Sequence, residues 1–342
     1  MGVDLKPLID TKPIKLENLR DKVIAVDAYN ALYQFLATIR GYTGEPLMDR
    51  HGRVTSHLSG LFYRSINLLS LGIKLVYVFD GRAPSLKYRE LESRRRVKEE
   101  AIMMYEQALR EGRVEDARRY AQATSTLKDT MVDDSKRLLE LMGIPYIQAP
   151  AEGEATAAYM NRIGLAYAIA SQDYDSLLFG ASRIVRNLTI SGKRKLPGRD
   201  QYVDVEPEVI ELEHVLNNLS ITREELVDIA ILVGTDYNPE GFKGIGAKKA
   251  LQLIKKYKRL EYIEQEDVQQ GLKSIDYNAI RKLFLEPDIV EVGSIEFKDI
   301  DRDGIIRFLC HEHDFSHDRV SNALHKLEES LRRSRSGLER WF

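Results

Sequence analysis

Short apolar runs that each close in a carboxylate are what most restricts the fold of this 342-residue chain. Lys22-Val-Ile-Ala-Val-Asp27 is the first, and Ile73 to Asp80 (Ile-Lys-Leu-Val-Tyr-Val-Phe-Asp) repeats the design. Neither alternates polar with apolar residues, so both read as strands buried on two faces with Asp at the carboxyl end. Between them, Ala28 to Ile39 and Thr55 to Leu71 have helical spacing, with Thr55 or Ser56 as N-cap. Ile144 to Ile147 and Ala166 to Ala170 supply further strands. Strands alternating with helices predict the α/β class: a mostly parallel central sheet flanked by helices, with ligands beyond the carboxyl ends of the strands. Asp27 and Asp80 then share one edge.

Loops after the later strands bring more acid to that edge. Glu152 and Glu154 follow Ala149-Pro150, and Asp173 and Asp175 follow the run Leu165 to Ala170, each pair at i,i+2 spacing. Residues i and i+2 share a face in extended backbone but not on a helix, so each pair can aim two carboxylates at one place. Four like charges that close repel and raise their own pKa values. A divalent cation removes the conflict, and oxygen-only ligands suit magnesium or manganese rather than zinc. The plainer reading of either pair alone is a helix cap or a strand end. Asp236 is a seventh carboxylate; it follows a helix, Thr222 to Val233, that opens on a capping-box-like Thr222-Arg-Glu-Glu225.

The balance of 51 basic against 53 acidic residues is nearly neutral, so a nucleic-acid partner shows only in where the charges sit. Two places stand out. Arg82, Lys87, Arg89, Arg94, Arg95, Arg96 and Lys98 crowd the start of a charged segment that runs to Met131. It reads as one long helix broken near Gly112 and then a second, an insertion above the sheet over about residues 81–131. Lys87 and Arg94 are two turns apart and share a face; the plainer reading is a solvated helix laced with salt bridges. The second place is Gly244-Ile-Gly246 feeding a helix from Ala247 to Tyr257, with Lys243, Lys248, Lys249, Lys255, Lys256, Lys258 and Arg259 and no acid between them. Glycines let backbone N–H groups approach a phosphate, the helix dipole favours the anion, and the lysines suit a nucleic-acid backbone.

Arg183 to Val205 reads as a hairpin with turns at Ser191-Gly192 and Pro197-Gly198. The single cysteine, Cys310, rules out an internal disulfide and fits a reducing compartment. No apolar run approaches about eighteen residues and no leader precedes the first strand, which points to a cytoplasmic protein without a membrane span. One domain is expected over residues 1–330, followed by a flexible tail, 331–342, whose only tryptophan is penultimate. That aromatic end suits a partner's pocket or its own domain.

With these residues assembled, the sequence resembles the flap endonuclease family, in particular its archaeal branch, over nearly the whole chain. The resemblance is carried by Val26-Asp27-Ala28, Tyr77-Val-Phe-Asp80-Gly81, Ala149-Pro-Ala-Glu152-Gly-Glu154-Ala155, Ser171-Gln-Asp173-Tyr-Asp175 and Gly234-Thr-Asp236-Tyr237 with Gly244-Ile-Gly246. It implies a structure-specific DNA nuclease of replication and repair that cuts 5′ flaps at duplex junctions beneath a helical arch, with 5′-3′ exonuclease activity. It also implies two Mg2+, replaceable by Mn2+, on Asp27, Asp80, Glu152, Glu154, Asp173, Asp175 and Asp236, acting by two-metal-ion hydrolysis. Lys87 and Arg94 resemble the arch's catalytic basic residues, and Tyr33 the aromatic that stacks near the scissile phosphate. Gly244, Gly246, Lys243, Lys248 and Lys249 correspond to a helix–turn–helix, helix-hairpin-helix-like region, about 222–260, that grips duplex DNA. One K+ is expected there on backbone oxygens of the Asn238 to Gly246 loop. The tail is similar to the family's sliding-clamp (PCNA) peptide, with Leu338, Trp341 and Phe342 at the apolar positions, and departs from it where Arg335 stands in place of the usual Gln. A monomer is expected. Two other readings remain: a sibling exonuclease or bubble nuclease with the same carboxylates, and a non-catalytic clamp-bound DNA-junction scaffold with no need of them.

Overall fold

Alternate residues of the apolar runs turn to opposite sides, as extended backbone dictates, and both sides are covered. The computed structural model describes residues 2–189, 192–195 and 202–338. Its strands are β1 (Lys12–Pro13), β2 (Val23–Asp27), β3 (Lys74–Phe79), β4 (Tyr146–Gln148), β5 (Ala168–Ala170), β6 (Arg183–Arg186), β7 (Gly192–Lys195), β8 (Tyr202–Val205) and β9 (Glu208–Glu211). The main sheet has the order β1-β9-β6-β5-β2-β3-β4, with β2 to β6 parallel and β9 antiparallel to both its neighbours, β6 and the edge strand β1. The mostly parallel sheet is as expected. The expected hairpin forms as two nested antiparallel pairs, β7 with β8 and outside them β6 with β9, so its return arm runs past Val205 to Glu211; Ile184 and Val185, buried on opposite faces, also join Arg183–Arg186 to β5 of the main sheet. Ser191, Pro197 and Gly198 lie outside the described residues.

Along the chain the helices are α1 (Ala28–Thr38), α2 (Ser56–Ser70), α3 (Tyr88–Arg110), α4 (Val114–Ala121), α5 (Asp129–Leu141), α6 (Gly153–Arg162), α7 (Asp175–Leu178), α8 (Leu212–Leu219), α9 (Arg223–Val233), α10 (Ala247–Tyr257), α11 (Glu266–Leu272), α12 (Tyr277–Leu285), α13 (Arg302–Ile306) and α14 (His317–Leu338). Ile24, Val26, Leu75, Tyr77 and Phe79 face a core built with α1, α2, α5, α13 and α14. Ala25, Val76, Val78 and Ile169 face another, built with α6, α7, α9, α10 and α12. Each fully buried Leu, Ile, Val or Phe contributes roughly 1.5–3 kcal/mol, so the sheet is held from both sides.

The insertion forms outside both cores. Helix α3 buries little beyond Ala101 and Ala108, and it packs on α4, where Ala117 and Ala121 are buried; small side chains let two highly charged helices approach. At the other end of the chain, the boundary expected at residue 331 falls inside α14, which runs to Leu338. Trp341 and Phe342 lie outside the described residues. Among the described residues no helix is long and apolar enough to cross a membrane. The Thr222 capping box forms in full: Glu225 N–H donates to Thr222 Oγ1 at 3.2 Å and Thr222 N–H to Glu225 Oε2 at 2.9 Å.

His57 opens α2 inside the core, fully buried, and neither ring nitrogen has a hydrogen-bond partner among the described residues. Burial, helped by nearby His313, pushes its pKa down to about 3, from an ordinary value of 6.5. The unfolded chain therefore binds the proton first, so this contribution to stability is complete above about pH 6.5 and is lost as pH falls toward the folded value. The unfolding free energy of the wild type should decline more steeply between about pH 6.5 and pH 4 than that of His57→Leu, measured by urea titration; parallel curves would refute the assignment.

Candidate active site and metal centre

The strand order reverses between β2 and β5, which opens a crevice at their carboxyl ends. Asp27 ends β2 and caps α1, accepting the Asn30 N–H at 3.0 Å. The Asn30 side-chain amide donates to Asp173 Oδ2 at 3.1 Å, so one residue links carboxylates on both sides of the crevice. Asp80 follows β3, and its Oδ1 accepts the Gly153 N–H at 2.7 Å. A Cβ on Gly153 would also lie 2.7 Å from that oxygen, so the close approach requires glycine. Glu152 is the N-cap of α6, and Glu154, in its first turn, accepts hydroxyl hydrogens from Ser171 at 2.8 Å and Ser176 at 2.6 Å. Asp175 opens α7 and accepts the Val3 N–H at 2.9 Å; Gly2 packs on the same carboxylate, so the start of the chain reaches the site. Asp236 lies in the turn after α9.

The i,i+2 pairs lie at the starts of helices rather than in extended strands, and this separates their members. Glu152 belongs electrostatically with Asp80 and Asp27, whereas Glu154 faces Asp27, Asp175 and Asp173. Burial, then its carboxylate neighbours, raise all of the strongly enclosed acids. Asp80 rises to about 6, with Glu152 the main neighbour, and Asp175 to about 7, with Asp236 the main neighbour. Asp27 and Glu154 rise well above the ordinary range. The seven carboxylates thus form one connected cluster.

Two cations from the insertion close it. Lys87 Nζ lies 3.1 and 3.0 Å from the two Glu152 oxygens and 3.2 Å from Asp236 Oδ2; Arg94 Nη2 lies 3.1 Å from the same Asp236 oxygen and also pairs with Glu90. Burial opposes the Lys87 charge, but Glu152 and Asp236 more than offset it and raise its pKa. Among the described residues no three His, Cys, Asp or Glu side chains stand together, as placed, in a group able to hold one metal ion. The donor set nonetheless fits a hard divalent cation, being all oxygen, crowded and desolvated. Lys87 stands between Glu152 and Asp236 and supplies positive charge there.

Tyr33 is 44% exposed on α1, and both Arg94 and Asp80 act on its hydroxyl. Further along, Lys243, Lys248 and Lys249 are exposed around the start of α10. Gly244 has φ +72, which favours glycine, whereas Gly246 has ordinary extended backbone; open space lies over both. Lys258 and Arg259 are less available than the sequence suggests, since they pair with Glu225 and Glu261.

Comparison with known proteins bears on this arrangement. Residues 1–101 match the XPG N-terminal domain and residues 143–236 the XPG I-region. Flap endonuclease 1 of Nitrosopumilus maritimus is 52% identical over all of both chains, and that of Pyrococcus abyssi is 55% identical over 100% of this chain and 98% of its own. The solved structure of flap endonuclease-1 from Methanococcus jannaschii superposes with a TM-score of 0.75 at 41% identity, over 97% of this chain and 100% of that one. The catalytic core of Rad2 in complex with DNA substrate gives 0.69 at 25% identity, over 93% and 96%. The class is therefore that of metal-dependent nucleases, hydrolases acting on DNA. Within it, this chain belongs to the flap endonuclease family.

Several residues that shape the site escape sequence reasoning: Val3, Asn30 and Ser176 are ordinary polar or apolar types with no distinctive spacing. Gly153 had a signal, since a glycine between two acids leaves room for a third. Gly153→Ala should displace the Asp80 carboxylate and lower turnover by about tenfold or more, the scale for outer partners of metal ligands. Its melting temperature should move little; wild-type turnover in a steady-state cleavage assay would refute the need for glycine.

Proposed function

We propose that this protein cuts 5′ flaps at duplex junctions, and trims 5′ ends as an exonuclease, in DNA replication and repair. One observation carries the reading: Lys87 and Arg94, from the foot of the arch, lie directly on Glu152 at the start of α6 and on Asp236 after α9. A strand that reaches the carboxylates therefore meets both cations. Asp27, Asp80, Glu152, Glu154, Asp173, Asp175 and Asp236 would divide between two Mg2+, or Mn2+ in their place. Such ions lower the pKa of a bound water and stabilise the leaving oxygen. Lys87 and Arg94 exchange their carboxylates for the scissile phosphate and neutralise its charge, a task in which losing one oriented donor costs roughly 2.7–4 kcal/mol. Tyr33 offers its exposed ring to the adjacent base, where stacking is worth about 1–3 kcal/mol.

Duplex DNA is held at the Gly244 to Gly246 turn by backbone N–H groups and by Lys243, Lys248 and Lys249. Backbone oxygens of the loop between Asn238 and Gly246 would hold one K+, which would add positive charge beside the phosphates. Phosphate contacts fix register without reading sequence, which suits an enzyme selective for shape. The protein acts as a monomer and is recruited by the sliding clamp through Leu338, Trp341 and Phe342, with Arg335 standing where a Gln would supply polar contacts, which bears on affinity more than on mode.

Asp175→Asn and Glu154→Gln should each lower magnesium-dependent cleavage of a 5′-flap duplex by about a hundredfold or more, while flap binding in Ca2+ persists. Wild-type cleavage by either variant would overturn the metal assignment. Running the same assay on flap, nicked and bubble substrates, with and without chelator, separates a sibling nuclease from a flap enzyme and a scaffold from both. Deleting Leu338 to Phe342 should abolish co-elution with the clamp and leave intrinsic cleavage intact; undiminished co-elution would dismiss the tail as the anchor.

A further inference from the structure

Both feet of the arch meet at a side chain that the proposed reaction does not otherwise use. The first foot is Asp80-Gly81-Arg82, where β3 gives way to the insertion; the second is α5, where the insertion returns to the core. Gln148 ends β4, at the edge of the sheet, and stands between them. Its Nε2 donates to the main-chain oxygen of Asp80 at 2.7 Å, with the oxygens of Phe79 and Ala149 at 3.4 Å. Its Oε1 accepts from Lys136 Nζ of α5 at 2.8 Å. The orientation of the amide is forced, because an ammonium only donates and a carbonyl only accepts. Lys136 is held in turn over the rings of Phe79, at 5.1 Å, and Tyr146, at 5.7 Å.

The backbone around Gln148 is joined to the same foot. Gly81 N–H donates to Ala151 O at 2.6 Å and Arg82 N–H to Pro150 O at 3.1 Å, and the Gly153 N–H holds the Asp80 carboxylate. A Cβ on Gly81 would collide with Ala149 and Pro150 backbone oxygens, so the two segments cross as closely as they can. Gln148 contributes a side chain to this junction, and because it is exposed at a sheet edge it buries little apolar surface. Its defined partners therefore call for a reason other than packing.

We infer that Gln148, oriented by Lys136, is a positioning residue for the nuclease reaction. It fixes the main chain at Asp80 and so sets both that carboxylate and the start of the arch, which carries Lys87 a few residues on. The inference rests on the proposed roles of Asp80 and Lys87. An amide that holds a ligand's main chain acts as outer partners of metal ligands do, and such partners typically matter 10–100-fold.

Four variants test it, each assayed for turnover on a 5′-flap duplex, flap affinity in Ca2+, Mn2+ affinity by calorimetry, and melting temperature. Gln148→Leu should lower turnover and Mn2+ affinity by about tenfold or more, with flap affinity and melting temperature near wild type. Lys136→Met should do the same to a smaller degree. Lys136→Met/Gln148→Leu should match Gln148→Leu alone, since both changes break one relay and neighbours in one network do not add. Additive losses, a turnover loss that tracks the fall in melting temperature, or wild-type turnover in Gln148→Leu would each overturn the inference. Asp80→Asn separates it from the reading it rests on: full activity there would remove the site assignment itself, whereas an inactive Asp80→Asn beside a wild-type Gln148→Leu would remove the inference alone.

Discussion

Like charge gathered in a poorly solvated place is the constraint on which the rest of this molecule depends. The parallel sheet brings Asp27, Asp80 and the loops after β4 and β5 to one edge by topology, so the fold creates the repulsion as it forms. Burial compounds it, which is why Asp80 and Asp175 move up to about 6 and about 7. The arch supplies the counter-charge. Lys87 and Arg94 are thus part of the electrostatic balance of the carboxylates before any question of catalysis arises, and the insertion is tied to the sheet by that balance as well as by its backbone. Under the proposed mechanism, cations arriving at the carboxylates and a phosphate arriving under the arch satisfy both partners of these ion pairs at once. Either alone leaves one partner exposed, and this favours their arriving together.

The acids at the site were legible in the sequence, and for a physical reason. A buried parallel strand is written as an unbroken apolar run, so a carboxylate at its end is conspicuous, as at Asp27 and Asp80. The period of α1, α2 and α10 was equally plain, because each presents one apolar face, whereas α9 is buried all round from Leu226 to Leu232. The place of the strand Arg183–Arg186 in the main sheet was not: with only Ile184 and Val185 buried between two arginines, four residues carry too little pattern to show that one arm of a hairpin also joins the sheet. Helix α14 beyond residue 331 was likewise masked by basic residues that read as a tail. The pairing of Lys87 with Glu152 and of Arg94 with Asp236 could not be read, since shared helical spacing shows only that two side chains face one way. What they face is decided by a fold that brings residues 65 and 142 positions apart into contact.

The supports of the carboxylates divide in two, and the division bears on how the site can work. Asp27, Glu154, Asp173 and Asp175 are held by neutral donors: the Asn30 amide and N–H, the Ser171 and Ser176 hydroxyls, and the Val3 N–H. Glu152 and Asp236 are held by Lys87 and Arg94. Asp80 stands at the border, with the Gly153 N–H on its carboxylate and the Gln148 amide on its main chain. Neutral donors fix an orientation without cancelling charge, so the first group keeps its need for cations, with Arg94 of the arch reaching it only electrostatically, at Asp173. The second group can exchange one cation for another with little change in its own position. Under the proposed mechanism, an exchange at Glu152 and Asp236 leaves the other carboxylates largely preorganised, and the reorganisation that substrate must drive centres on two side chains of the arch.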